Sequence, residues 1–147
     1  MAIDRSWKHT PPPPEVIEQK MLAATTAKVR AKPKTEESDL QIMCVDWFSY
    51  RFPQYYESLF AVPNGGHRIK SVGKRLKAEG VKRGVADLFL DIPKGGYHGL
   101  RIEMKYGRNT QSPEQKTFQK TAEANGYKYT LCYSFEEFEK IINNYLK

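Results

Sequence analysis

The chain has 147 residues, enough for one ordinary domain with a buried core, and its 39% hydrophobic and 12% aromatic content is that of a folding sequence. The formal net charge of +7 favours a polyanionic partner such as nucleic acid. No apolar run reaches transmembrane length, no signal-type stretch opens the chain, and Cys44, Cys132 and three dispersed histidines form neither a disulfide framework nor a zinc site, so a reducing, cytoplasmic setting is expected.

Residues 1–35 read as a Pro-rich, basic arm. Pro11 to Pro14 lack the backbone donors a helix or ladder needs, Glu15 to Ala27 allow one short helix, and Lys28 to Lys34 form a basic linker. The domain is expected over 36–147. Thr35 is a plausible N-cap for a helix whose first turn holds Glu36 and Glu37, with Leu40, Met43, Cys44, Trp47 and Phe48 at three-four spacing on its buried face. Pro53 ends it, and Ser58 to Val62 is a short strand stopped by Pro63-Asn-Gly-Gly66. Arg68 to Glu79 reads as a basic helix with Gly80 past its end. Two strands follow, Asp87 to Ile92 and Leu100 to Tyr106, joined by the glycine-bearing loop Pro93 to Gly99. Ser112-Pro-Glu-Gln115 opens the next helix, with Ser as cap and Pro at the first helical position, and Asn125-Gly126 stops it. Tyr127 to Tyr133 is a strand, and Ser134 with Glu137 opens a final helix carrying Phe135, Phe138, Ile141, Ile142 and Tyr145.

The chemistry concentrates in the strand pair. Residues two apart on a strand share a face, so Glu103 and Lys105 point together and Met104 points into packing. Glu18-Gln-Lys20 and Glu114-Gln-Lys116 repeat the triplet, but in helical settings where such residues diverge. Asp87 stands sixteen positions before Glu103, just after the turn Lys82-Arg-Gly-Val-Ala86 and at the mouth of an apolar strand, where a carboxylate needs compensation. A metal provides it; a capped turn is the plainer account, and Asp91 fits that one.

Gly84-x-x-Asp87, the loop Pro93 to Gly99, Glu103-Met-Lys105 and Ser112-Pro-Glu-Gln115 together resemble the VRR-NUC domain, a branch of the PD-(D/E)XK nucleases found in phages and in DNA-repair enzymes. Val62-Pro-Asn-Gly-Gly66 and Leu76 to Val81 resemble the segments ahead of the aspartate, and the likeness runs from about Glu36 to the C-terminus. Ala86 stands where the superfamily's name has proline. The resemblance implies an α/β restriction-endonuclease-like core, a central mixed four-stranded sheet flanked by helices, and hydrolysis of DNA with Mg²⁺ or Mn²⁺. Asp87, Glu103 and the Met104 main-chain carbonyl would hold the metal, and Lys105 would orient or deprotonate water. Glu37 would add the helix acid, directly or through water, with Glu36 its competitor and favourable first-turn placement the plain account of both. Gln115 matches a position near the site, and it is also the residue a capping box requires.

Arg68, Lys70, Lys74, Arg75, Lys77, Lys82 and Arg83 oppose one acid, Glu79, over the segment that precedes Asp87. They read as phosphate contacts that position DNA without reading its sequence, or as a solvated face. Gly65-Gly66-His67 adds a place where backbone could approach DNA. Small stand-alone relatives resemble Holliday-junction resolvases, which implies four-way junction DNA and a homodimer, with no membrane and no nucleotide cofactor. The rival readings are a sequence-independent phage nuclease or nickase, and an inert DNA-binding module of the same fold.

Overall fold

A computed structural model describes residues 13, 15, 16, 18, 19, 33–63 and 70–147. The chain divides into two compact units, Met1–Tyr56 and Glu57–Lys147.

In the first unit Glu15, Val16, Glu18 and Gln19 are helical; the rest of the expected short helix and residues 28–32 of the basic linker lie outside the described residues, while Pro33 and Lys34, expected in that linker, are helical. Helix α1, Pro33–Arg51, begins two residues before the expected cap, so Thr35 falls inside its first turn. Proline suits a first helical position because its missing N–H would find no partner there. Cys44 and Phe48 are fully buried on the expected stripe, whereas Ile42, off the stripe, is 55% exposed. Phe52 closes the helix end, its ring 5.5 Å from Phe48 and 5.8 Å from Trp47. The chain then makes a 3-10 turn, Pro53–Ser58, which the sequence reading passed over.

The second unit is built on a four-stranded sheet in the order β1-β2-β3-β4. These are β1 Leu59–Ala61, β2 Leu88–Leu90, β3 Leu100–Met104 and β4 Lys128–Cys132. All four were expected, each two or three residues longer. β1 with β2 and β2 with β3 are antiparallel, and β3 with β4 is parallel, so the sheet is mixed. The parallel step needs a crossover, which helix α3, Pro113–Ala124, supplies. Helix α2, Lys70–Ala78, lies between β1 and β2 in the chain, and α4, Phe135–Leu146, ends it.

Strand alternation sorts the core. Leu88, Leu90, Leu100, Ile102, Met104 and Cys132 share one face and are fully buried. Each aliphatic chain there contributes about 1.5–3 kcal/mol of burial. On α4, Phe135, Phe138, Ile142 and Tyr145 are buried, and the Tyr145 hydroxyl donates to the Ile92 carbonyl at 2.7 Å. The opposite face carries Phe89, Arg101, Glu103, Tyr129 and Leu131, and there Ala86, Ala122 of α3 and Tyr129 form a small core with Phe89, Phe118, Tyr127 and Leu131 packed on it. Arg101 lies between rings, 3.9 Å from the centroid of Phe89 and 4.0 Å from that of Tyr127, and pairs with Asp91 at 2.7 Å.

Three turns place the chemistry. The β2–β3 hairpin turns at Gly95 and Gly96, both at positive φ (59° and 84°), inside the Lys94–Tyr97 bridge. Ser112 caps α3 with a complete capping box, its hydroxyl accepting from the Gln115 N–H and its own N–H donating to the Gln115 side chain. Ser134 caps α4 by accepting from the Glu137 N–H, but the Glu137 carboxylate reaches one residue further back, to the Tyr133 N–H at 2.8 Å.

Candidate active site

The antiparallel register pairs Leu88 with Ile102, and continuing it sets Asp87 across from Glu103. Residues opposite each other in an antiparallel pair share a face. The sixteen-residue gap is therefore the length of one hairpin, and it brings the two acids together. The Met104 N–H donates to Asp87 Oδ2 at 2.8 Å and fixes that side chain against the end of β3.

Glu103 is 1% exposed. Its Oε1 accepts from the Lys105 ammonium at 2.9 Å and from Gln115 Nε2, and its Oε2 accepts from the Tyr129 hydroxyl at 3.3 Å. Lys105, itself buried, also donates to Gln115 Oε1 at 3.0 Å. That same oxygen receives the Ser112 N–H at 2.8 Å. One side chain thus closes the helix N-terminus and holds the acid and the lysine of the triplet. The two readings of Gln115 describe a single arrangement.

Gly84 explains how α3 comes so close. Its φ is 78°, and a Cβ there would lie 2.4 Å from the Glu114 carbonyl carbon and 2.6 Å from the Gln115 nitrogen. The turn ahead of Asp87 therefore packs directly on the first turn of α3, and no other residue fits.

Burial lifts the Asp87 carboxyl above its ordinary range, against the downward pull of the Met104 N–H and of Lys105. Burial, and then the charge of Asp87, push Glu103 from 4.5 to about 7, although Lys105 and Tyr129 pull it down. Two buried carboxyls, one of them raised further by the charge of the other, favour a cation between them. Among the described residues no group of three or more His, Cys, Asp or Glu side chains is placed to hold a metal. The set fits a hard divalent ion bound by two carboxylates, main-chain oxygen and water, as Mg²⁺ prefers.

Other candidates are placed differently. Glu36 and Glu37 are half-buried on α1, in the other unit. Lys74, Arg75, Lys77, Lys82 and Arg83 are exposed, and Arg75 pairs with Glu79 at 2.8 Å. Lys70 opens α2, while Arg68 and Gly65-Gly66-His67 lie outside the described residues. Two residues are not announced by the sequence: Tyr129, bonded to Glu103, and Gln111, whose Nε2 donates to the Tyr129 hydroxyl at 3.4 Å. Their place depends on the parallel pairing of β3 with β4, which no local pattern announces.

No family model and no curated protein matches the chain. Among solved structures it is similar to a "VRR_NUC domain protein", at 26% identity and a TM-score of 0.65, over 75% of this chain and 87% of that one. The chain has a VRR-NUC domain fold. The mixed sheet of this VRR-NUC fold carries Asp87, Glu103 and Lys105 at one end of its central hairpin, and α3 brings Gln115 to them.

Proposed function

We propose that the chain is a Mg²⁺- or Mn²⁺-dependent endonuclease that hydrolyses DNA phosphodiester bonds, acting on branched DNA such as four-way junctions. What carries the reading is the Asp87–Glu103–Lys105–Gln115 cluster, two buried acids and a lysine held together on a fold whose solved neighbour is described as a "VRR_NUC domain protein". Asp87, Glu103 and the Met104 carbonyl would hold the ion. When bound, the ion supplies a Lewis acid for the phosphate and lowers the pKa of its water.

Lys105 has three hydrogens, two of them committed to Glu103 and Gln115, and the third is available to orient a water or a phosphate oxygen. Its charge offsets the negative charge that develops at phosphorus. Gln115 keeps the ammonium from swinging away. Lys74, Arg75, Lys77, Lys82 and Arg83, together with Lys70 and Arg68, would neutralise backbone phosphates. Paired cuts at a junction call for a symmetric homodimer.

The purified protein should be incubated with a four-way junction, a flap, a linear duplex and a plasmid, each with Mg²⁺, Mn²⁺ or EDTA. Cleavage of the junction only with a metal, absent in Glu103→Ala and strongly slowed in Lys105→Ala, is the expected result. Equal cutting of every substrate would replace junction selectivity with a sequence-independent nuclease. Tight binding without cutting would make it an inert DNA-binding module.

A further inference from the structure

The carboxylate of Glu103 is held from both sides, and the side opposite Lys105 belongs to a chain of groups that the reaction proposed above does not use. Tyr129 is buried and stands on β4, on the same face as Glu103. Its hydroxyl meets Glu103 Oε2 at 3.3 Å and Gln111 Nε2 at 3.4 Å. Gln111 Nε2 also donates to Gln119 Oε1 at 2.8 Å, and Gln119 Nε2 donates to Glu123 Oε1 at 2.8 Å.

The polarity of this chain is fixed from its far end. A carboxylate oxygen accepts from an amide N–H, as Glu123 Oε1 does from Gln119. Glu123 therefore turns the Gln119 nitrogen toward itself, which leaves the Gln119 oxygen for Gln111. That oxygen turns the Gln111 nitrogen inward, where its second hydrogen points at the Tyr129 oxygen. A hydroxyl is a free rotor with one hydrogen to give. With a donor already facing its oxygen, the remaining direction is Glu103 Oε2. The phenol thus arrives with its hydrogen aimed at the carboxylate before any ion binds.

We infer that Tyr129, its hydroxyl oriented by Gln111, is a positioning residue that holds the Glu103 carboxylate in the attitude needed to take up the divalent cation. The inference rests on the metal-dependent reading above. Outer partners of this kind orient a ligand and keep it from reorganising on binding. The role is separable from packing, because the ring has its own contact, edge-on to Phe118 at 6.3 Å between centroids. Tyr129→Phe keeps that contact and removes only the oxygen.

The test measures Mn²⁺ uptake by titration calorimetry, and separately the Mg²⁺ concentration that half-saturates junction cleavage and the rate at saturating Mg²⁺. Tyr129→Phe is expected to weaken Mn²⁺ binding and raise the Mg²⁺ requirement about tenfold or more, with a smaller change in the saturated rate. Gln111→Met, which removes the orienting donor outside the core, is expected to move both readings the same way by less, and it stands in if Tyr129→Phe does not fold. Wild type and both variants with the same Mn²⁺ affinity and Mg²⁺ requirement would overturn the positioning role alone. A wild type that takes up no Mn²⁺ would overturn the metal site and this role with it.

Discussion

Glu103 carries the pH behaviour of the metal-free protein. Its carboxyl sits at about 7 in the fold against an ordinary 4.5. A raised carboxyl favours the protonated folded state, so the stability it contributes is complete below pH 4.5 and is lost as pH rises through about 7. In EDTA the wild type should therefore lose up to about 3 kcal/mol relative to Glu103→Gln between roughly pH 4.5 and 8, by urea denaturation at each pH. Asp87, raised for the same first reason, adds in the same direction. Lys105 is bonded to Glu103, and its charge pulls both carboxyls down. Lys105→Ala leaves a buried carboxylate without its partner and should destabilise the fold by about 3–5 kcal/mol. It should also slow cleavage on the order of 10²–10³-fold, measured on the fraction that remains folded.

Between elements, the decisive contact is the turn at Gly84 against the first turn of α3. A methyl group at residue 84 meets backbone at 2.4 Å and also requires a φ of 78°. Gly84→Ala should cost about 2–4 kcal/mol in thermal denaturation and lower kcat by shifting Gln115 away from Lys105. Much of this level could be read from residues. The glycines of the β2–β3 loop, the Ser112–Gln115 spacing and the period-two runs around Asp87 and Glu103 each state their geometry locally. The 3-10 turn at Pro53–Ser58 was missed because Pro53 reads equally as a stop and as a first turn. Helix α1 was opened at Thr35 because a threonine before two glutamates imitates a cap, whereas Pro33 starts it. Tyr129 and Gln111 were invisible for a different reason: their importance arises only when β4 lies parallel to β3, an arrangement set by the crossover through α3.

For the molecule as a whole, five exposed cations face one acid, Glu79, over Lys74 to Arg83, and among the described residues no helix is long and apolar enough to cross a membrane. DNA binding is expected to weaken steeply with salt. Lys74→Ala should lower the slope of log affinity against log salt by about 1 without changing preference among duplex sequences, by fluorescence anisotropy across a salt series. The β2–β3 hairpin reverses well away from the acids. Its reversal at Gly95–Gly96 lies beyond Gly99, which is about 13 Å up the strand from Glu103. The acids are spaced by register, and the tip only has to return the chain. A short epitope or fluorophore-bearing insert between those two glycines should leave turnover intact, which makes the tip a handle for tethering the protein to a surface or a reporter.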